Sequence, residues 1–301
     1  MLIALLLASV GVALLSGALT TEDELPENDD TAVGTDGDDV VYGWGGDDSI
    51  TGEAGNDSLF LGEGNDTATG GDGDDLIVGG PGSDIVTGGA GDDTIMGGKN
   101  GDWISGEDGN DILHGEDGVD VIYGGEGDDH IYAGNGADQV EGGDGDDVIY
   151  GGGGFDLLQG DDGNDKLIDV YGENTMHGGN GDDLIRAGNE STVYGDAGND
   201  LLHLKQGATA TGGADQDLFN VLMCSEDAIA ENGEPGVTTI TDFNPDEDVL
   251  AVTLQQGQNP DITIEVTPEG ANVLFDGELV ITVLNYSALT VNDLILVEAT
   301  A

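Results

Sequence analysis

Apolar residues recur along this chain at a fixed interval of nine, as at Val41, Ile50, Leu59, Ala68, Ile77, Val86 and Ile95, and onward to Leu158 and Leu167. Each occupies the eighth place of a nine-residue unit, as GGDGDDLIV (Gly70 to Val78) and GGAGDDTIM (Gly88 to Met96) illustrate. The last three residues of a unit favour strand, and the first six are turn formers. Strand side chains alternate, so in Leu76-Ile77-Val78 the central Ile77 points inward and its neighbours outward. Fifteen units follow one another without insertion or deletion from Gly34 to Ile168. A short, strictly kept period predicts an all-β solenoid of stacked coils.

The polar positions are as regular as the apolar ones. The sixth residue is Asp in every unit: Asp39, Asp48, Asp57, Asp66, Asp75, Asp84, Asp93, Asp102, Asp111, Asp120, Asp129, Asp138, Asp147, Asp156 and Asp165. The fourth is Gly except at Asn100. This pattern, GGxGxDxUx with U aliphatic, resembles the RTX (repeat-in-toxin) calcium-binding family. The resemblance implies a right-handed parallel β-roll in which two units close one flattened coil of eighteen residues, with strands on two opposite faces. The Asp residues then form two columns, Asp39 to Asp165 on one edge and Asp48 to Asp156 on the other.

Neighbours in a column would sit one strand spacing apart, ~4.8 Å. Bare carboxylates at that distance repel by about 0.9 kcal/mol in water and roughly 3–4 kcal/mol at an effective dielectric near 20. A hard divalent cation between coils reverses the sign. Calcium accepts six to eight oxygens from carboxylates and carbonyls, whereas magnesium demands strict octahedral geometry and keeps its waters. Each same-edge pair is one expected site, which gives roughly thirteen Ca²⁺ ions in the regular ladder. The repeat region is expected to be unfolded without calcium and to fold on binding it.

After Ile168 the pattern changes. Asp183, Asp200 and Asp217 continue one column, while the interleaved units around Asn174, Ser191 and Ala208 lose the Asp, and the last two are one residue short. Met176, Val193 and Ala210 keep the inward apolar place. The roll is therefore expected to continue over 34–220 with calcium on one edge only at its end, adding Asp183, Asp200 and Asp217 to the metal-ligating residues.

From about Val221 alternating strands replace the glycine repeat, at 238–243, 249–254, 262–267, 272–275 and 279–284, with Asp276-Gly277 as a hairpin turn. Asp217-Leu218-Phe219, Ile240-Thr241-Asp242-Phe243 and Asp248-Val249-Leu250 resemble the end of serralysin-type RTX proteins. That resemblance implies a C-terminal β cap over 221–301, linked to secretion; Asn292 to Val297 is similar to the acidic-then-aliphatic tail of type I secretion signals, although Glu298 to Ala301 follow it.

At the other end, residues 1–20 carry an uncharged apolar run, Leu2 to Leu19, which reads either as a signal peptide or as an uncleaved membrane anchor. Residues 21–33 read as an acidic linker. Either reading exports the chain, to the extracellular space or the cell surface, with membrane contact only through the N-terminal segment. With 64 acidic and four basic side chains, and a formal charge of −60, the chain attracts cations and excludes nucleic acid as a partner. The single Cys224 cannot close an internal disulfide.

No GxSxG, HExxH or Cys/His zinc spacing is present, so no catalytic residue is nominated and the chain is read as a non-enzyme. The expected function is calcium binding coupled to folding of an exported structural or surface-associated protein. Its partners are calcium, export machinery and a surface or protein docked on the apolar outer face that carries Tyr42, Phe60, Val78 and Met96. An enzyme or enzyme accessory with its site in 221–301 is the alternative. An adhesin or ice-binding surface is a further one, the latter suggested by a broken Thr row at Thr51, Thr69 and Thr87.

Overall fold

In the computed structural model, the described residues are 23–24, 28–223, 236–255, 258 and 260–298, so the expected signal peptide or anchor lies outside them. The chain divides into two compact units, Met1–Gly152 and Gly153–Ala301. Both are built of parallel strands, as the repeat demands, and the protein is an all-β parallel solenoid.

In the first unit, alternate strands pair at a register of eighteen residues. On one face Ile77 of Leu76–Pro81 sits beside Ile95 of Thr94–Lys99, Ile95 beside Leu113 of Ile112–Asp117, and Leu113 beside Ile131 of His130–Asn135. The other face runs Ile50, Ala68, Val86, Ile104, Ile122 and Val140 in the same way. These inward residues are at most 1% exposed, so the core is one column of aliphatic side chains from each face. Their outward neighbours stack as well: the Tyr42 and Phe60 rings lie 5.0 Å apart, and Tyr132 is sandwiched between His114 at 4.7 Å and Tyr150 at 5.1 Å. Thr51, Thr69 and Thr87 are adjacent, and the row then passes to Ser105, Tyr123 and Glu141.

The solenoid starts earlier than the repeat pattern places it. Thr31–Val33, inside the segment expected to be linker, pairs in parallel with Ser49, Ile50 and Thr51, and Ala32 is 1% exposed. Residues 28–33 lack the repeat glycines but keep an Asp, Asp30, and an apolar residue, Ala32, at the sixth and eighth places, which suffices to extend the ladder.

In the second unit the register shortens from eighteen to seventeen where the sequence units shorten: Thr175 pairs with Thr192, Thr192 with Thr209, Leu184 with Leu201 and Leu201 with Leu218. Met176, Val193 and Ala210 are fully buried. Parallel pairing does not stop at 220. Val249–Leu254 pairs with Leu218–Leu222, Leu294–Glu298 with Val249–Leu254, and Thr238–Ile240 with both Thr209–Ala214 and Glu278–Leu284. Among the described residues, antiparallel pairing is confined to Ile262–Val266, Gly270–Phe275 and Glu278–Leu284. Asp276 (φ 53°) and Gly277 (φ 88°) form the expected tight turn, both in the left-handed region that a type I′ hairpin requires. Among the described residues, no helix is long and apolar enough to cross a membrane.

Candidate metal centre

Each sixth-position Asp ends a turn and begins a strand, so its side chain is tucked against the neighbouring coil. Its Oδ1 accepts the backbone N–H of the Asp one coil earlier. On one edge Asp39, Asp57, Asp75, Asp93 and Asp111 donate to Asp57, Asp75, Asp93, Asp111 and Asp129 at 2.7–2.8 Å. The other edge repeats this from Asp30 through Asp48, Asp66, Asp84 and Asp102 to Asp120. In the second unit the chain of bonds is Asp165 to Asp183, Asp183 to Asp200, Asp200 to Asp217 and Asp217 to Asp248. All eighteen Asp residues nominated from the sequence are at most 3% exposed.

The second carboxylate oxygen has no such use. Oδ2 of Asp48, Asp57, Asp66, Asp75, Asp84, Asp93, Asp102, Asp111, Asp120 and Asp129 is buried without a hydrogen-bond partner, as it is at Asp183 and Asp200. A buried carboxylate oxygen with no donor is costly unless a cation meets it. Asp39 departs from the series, because the Thr35 N–H and hydroxyl reach its Oδ2 at 2.6 and 3.1 Å.

The glycine that opens each unit makes room at this oxygen. A Cβ at Gly52 would overlap Asp57 Oδ2 and the Gly70 carbonyl oxygen, and one at Gly70 would overlap Asp75 Oδ2 and lie against the Gly88 carbonyl. So a carboxylate oxygen of one coil and a carbonyl oxygen of the next converge on a space that any side chain would fill. Among the described residues no three His, Cys, Asp or Glu side chains cluster. A cation here would therefore draw most of its oxygens from the backbone, which suits calcium, a hard ion with many oxygen ligands.

The electrostatics agree. Burial, opposed by the backbone hydrogen bond and reinforced by neighbouring carboxylates in the column, pushes Asp93, Asp102, Asp183 and Asp217 up to about 7. The same causes raise Asp48 and Asp57 to about 6. These groups resist ionisation in a metal-free coil, which is the expected state of a carboxylate held ready for a cation.

Some contributing residues escape the repeat reading. Asp30 heads its edge, with Oδ2 buried and unpartnered. Asp248 closes the other edge, and Asp242 accepts the Gly212 and Gly213 N–H groups at 2.9 Å each. Asp242 and Asp248 follow the point near Val221 where the nine-residue period of the sequence stops, so spacing alone could not assign them to the column. The fifth position also works: Asp38 Oδ1 accepts the Asn56 N–H at 3.0 Å, and Asp92 accepts that of Asn110 at 2.9 Å. These bonds run toward the next coil, opposite in sense to those of the sixth position. The histidines offer no metal pair, since His114 stacks on Tyr132 and His130 lies in register with Ile112.

Comparison with known proteins gives the same reading of the repeat. The family described as RTX calcium-binding nonapeptide repeat (4 copies) matches in overlapping blocks: 27–59, 60–95, 87–122, 96–131, 123–158, 141–168, 159–191, 168–202 and 190–208. No curated protein matches the chain. Among solved structures it is similar to a hyperactive, Ca²⁺-dependent, β-helical antifreeze protein from an Antarctic bacterium, at 19% identity over 78% of this chain and 84% of that one, with a TM-score of 0.35. It is similar to the AlgE6R3 subunit of the Azotobacter vinelandii mannuronan C5-epimerase at 23% identity, over 47% and 80%, with a TM-score of 0.25. It is also similar to the extracellular lipase LipA of Serratia marcescens at 17% identity, over 77% and 40%, with a TM-score of 0.19. At these scores the structural likenesses carry no argument about what this chain does. The family match, by contrast, extends over residues 27 to 208, more than half of the 301, and the chain belongs to the RTX calcium-binding nonapeptide repeat family.

Proposed function

We propose that calcium ions line the edges of the solenoid and that their binding drives its folding. Each ion is held between two successive coils by the sixth-position Asp carboxylates of a same-edge pair, their free Oδ2 atoms among them, and by backbone carbonyl oxygens such as those of the opening glycines. The ligating residues are those of the two columns, Asp39 to Asp165 and Asp48 to Asp156, followed by Asp183, Asp200 and Asp217. The observation that carries this reading is the run of buried Oδ2 atoms without hydrogen-bond donors. Folding would then follow calcium, because the carboxylates that repel in its absence become its ligands.

The protein is an exported structural or surface-associated molecule on this reading. The apolar segment at residues 1–20 supports export. Residues 221–301 serve as a cap, which the open end of a solenoid requires. The stacked outer aromatics, His114, Tyr132 and Tyr150 among them, support a docking role for that face. Circular dichroism tests the central claim: the full chain in excess chelator should lack a β spectrum and gain it cooperatively on adding calcium. A β spectrum indifferent to calcium overturns it.

A further inference from the structure

The chain has four basic side chains, and three of them share one face of the second unit. Lys166, Arg186 and Lys205 belong to Lys166–Asp169, Leu184–Ala187 and Leu201–Lys205, three successive strands of one sheet. Leu167, Ile185, Leu202 and Leu204 fill the core, so strand alternation turns the three basic residues outward. Lys166 pairs with Leu184 and Arg186 with His203, which sets each basic residue two places further along than the last. Their Cα atoms therefore step diagonally across the sheet, ~8 Å apart. No outward place on these strands, or on Leu218–Leu222 beside them, holds an acidic residue. Among the described residues no carboxylate is ion-paired with any of the three. In a chain with 64 acidic side chains, an anion that approaches this face meets cations first.

The groups around the cations add to their chemistry. The Lys205 ammonium donates to the Val170 carbonyl at 3.2 Å and lies 6.0 Å from the centroid of the Tyr171 ring, which is 70% exposed. His203, in register with Arg186, is set by a short chain of hydrogen bonds. The Thr253 hydroxyl donates to Asn220 Oδ1 at 2.8 Å, which leaves the Asn220 Nδ2 to meet His203 Nδ1 at 2.9 Å. Burial, and the Arg186 charge after it, hold the imidazole below its ordinary value. The ring is then neutral at pH 7, accepts at Nδ1 and carries its proton on Nε2 as a donor. Guanidinium and ammonium groups recognise carboxylate or sulfate, an imidazole N–H a hydroxyl, and an exposed aromatic ring the apolar face of a pyranose. A membrane or a nucleic acid duplex would also meet the acid-rich remainder of the chain, whereas a single flexible strand can lie on this face alone.

We propose that this face binds an acidic polysaccharide strand, with Arg186 and Lys205 on its anionic groups and Tyr171 against a sugar ring. The inference goes beyond calcium binding and relies on it only for the folded coils.

Fluorescence anisotropy with a labelled hyaluronan octasaccharide, whose carboxylates fall on alternate sugars, tests this on the full chain in saturating calcium. The wild type should bind saturably, and less tightly as salt rises. Arg186→Glu or Lys205→Glu should weaken binding by at least about tenfold, whereas Lys99→Glu, in the first unit, should leave it unchanged. Tyr171→Ala should weaken binding of the glycan but not of poly-glutamate. No binding by the folded wild type overturns the proposal. Binding indifferent to both charge reversals overturns it too, and is the mark of a glycan bridged by calcium on the edges. Tighter binding of poly-glutamate than of the glycan overturns it in favour of an acidic peptide. Circular dichroism in calcium checks the fold of each variant, and Arg186→Gln replaces Arg186→Glu if the latter fails to fold. A β spectrum indifferent to calcium would overturn the reading of calcium-driven folding alone and leave this binding test intact.

Discussion

At the sixth position one side chain does two jobs, and the geometry separates them by oxygen atom. Oδ1 ties one coil to the preceding one, and Oδ2 waits beside a carbonyl of the next. The opening glycine is needed for space beside Oδ2, whereas fourth-position glycines such as Gly73 are needed for space against the preceding coil, where a Cβ would overlap the Gly55 carbonyl oxygen; at Gly37 that space is open. We expect Gly70→Ala to cost one calcium ion and about 1–3 kcal/mol through overpacking, whereas Gly37→Ala, where an added Cβ meets nothing within 4 Å, should be silent in the same calorimetric titration. The Asp carboxyls also set a pH dependence. Burial first, and neighbouring carboxylates after it, raise Asp93 and Asp129 from 3.8 to about 7 in the folded chain. A raised carboxyl stabilises the metal-free fold fully below its unfolded value, and that contribution is gone once pH exceeds the folded value. In chelator, then, β ellipticity should grow as pH falls from 7 toward 4. With calcium present the proton competes for the same oxygens, and affinity should weaken over that window; a flat affinity between pH 8 and 5 would contradict this account.

At the scale of the coil, the nine-residue period sets which side chains face in, and the parallel register of eighteen keeps like over like. Ile122 touches Ile104 and Val140 along its column and is fully buried, so Ile122→Ala should cost about 2–5 kcal/mol, read from the calcium-saturated denaturation midpoint. The shortened units at 187–194 and 204–211 were visible in the sequence and reappear as a register of seventeen. Other elements were less legible. The strand Thr31–Val33 lacks the repeat glycines, and pairing with Ser49, Ile50 and Thr51 is what makes it part of the sheet. The strands at 238–240, 249–254 and 294–298 could be read as strands from their alternation, but alternation does not say which neighbour a strand takes. Their parallel pairing comes from packing against the last repeat coils.

For the whole molecule, charge dominates. A net −60 on 301 residues drives self-repulsion in the metal-free chain, and we expect that chain to be expanded. Its radius of gyration in chelator should reach at least about 60 Å, the scale of an unfolded chain of this length, and fall on adding calcium, as small-angle scattering would read. Sodium chloride should not substitute. The screening length at physiological ionic strength is about 8 Å, longer than the ~4.8 Å between neighbours in a column. Full contraction in salt alone, with chelator present, would show that the ions act by screening rather than by ligation.

The sequence by itself determined the solenoid, its inward residues and the two Asp columns, because each depends on a strict local period that needs no distant partner to be recognised. Only the tertiary structure decided which oxygen of each Asp is committed and which is left over, since that depends on the coil above and the coil below. It also decided where the ladder begins and how its last strands pair. Asp30 shows the difference most clearly. In the sequence it lies in a segment that reads as linker; in the fold its N–H donates to Asp48 Oδ1 and it heads one edge of the ladder.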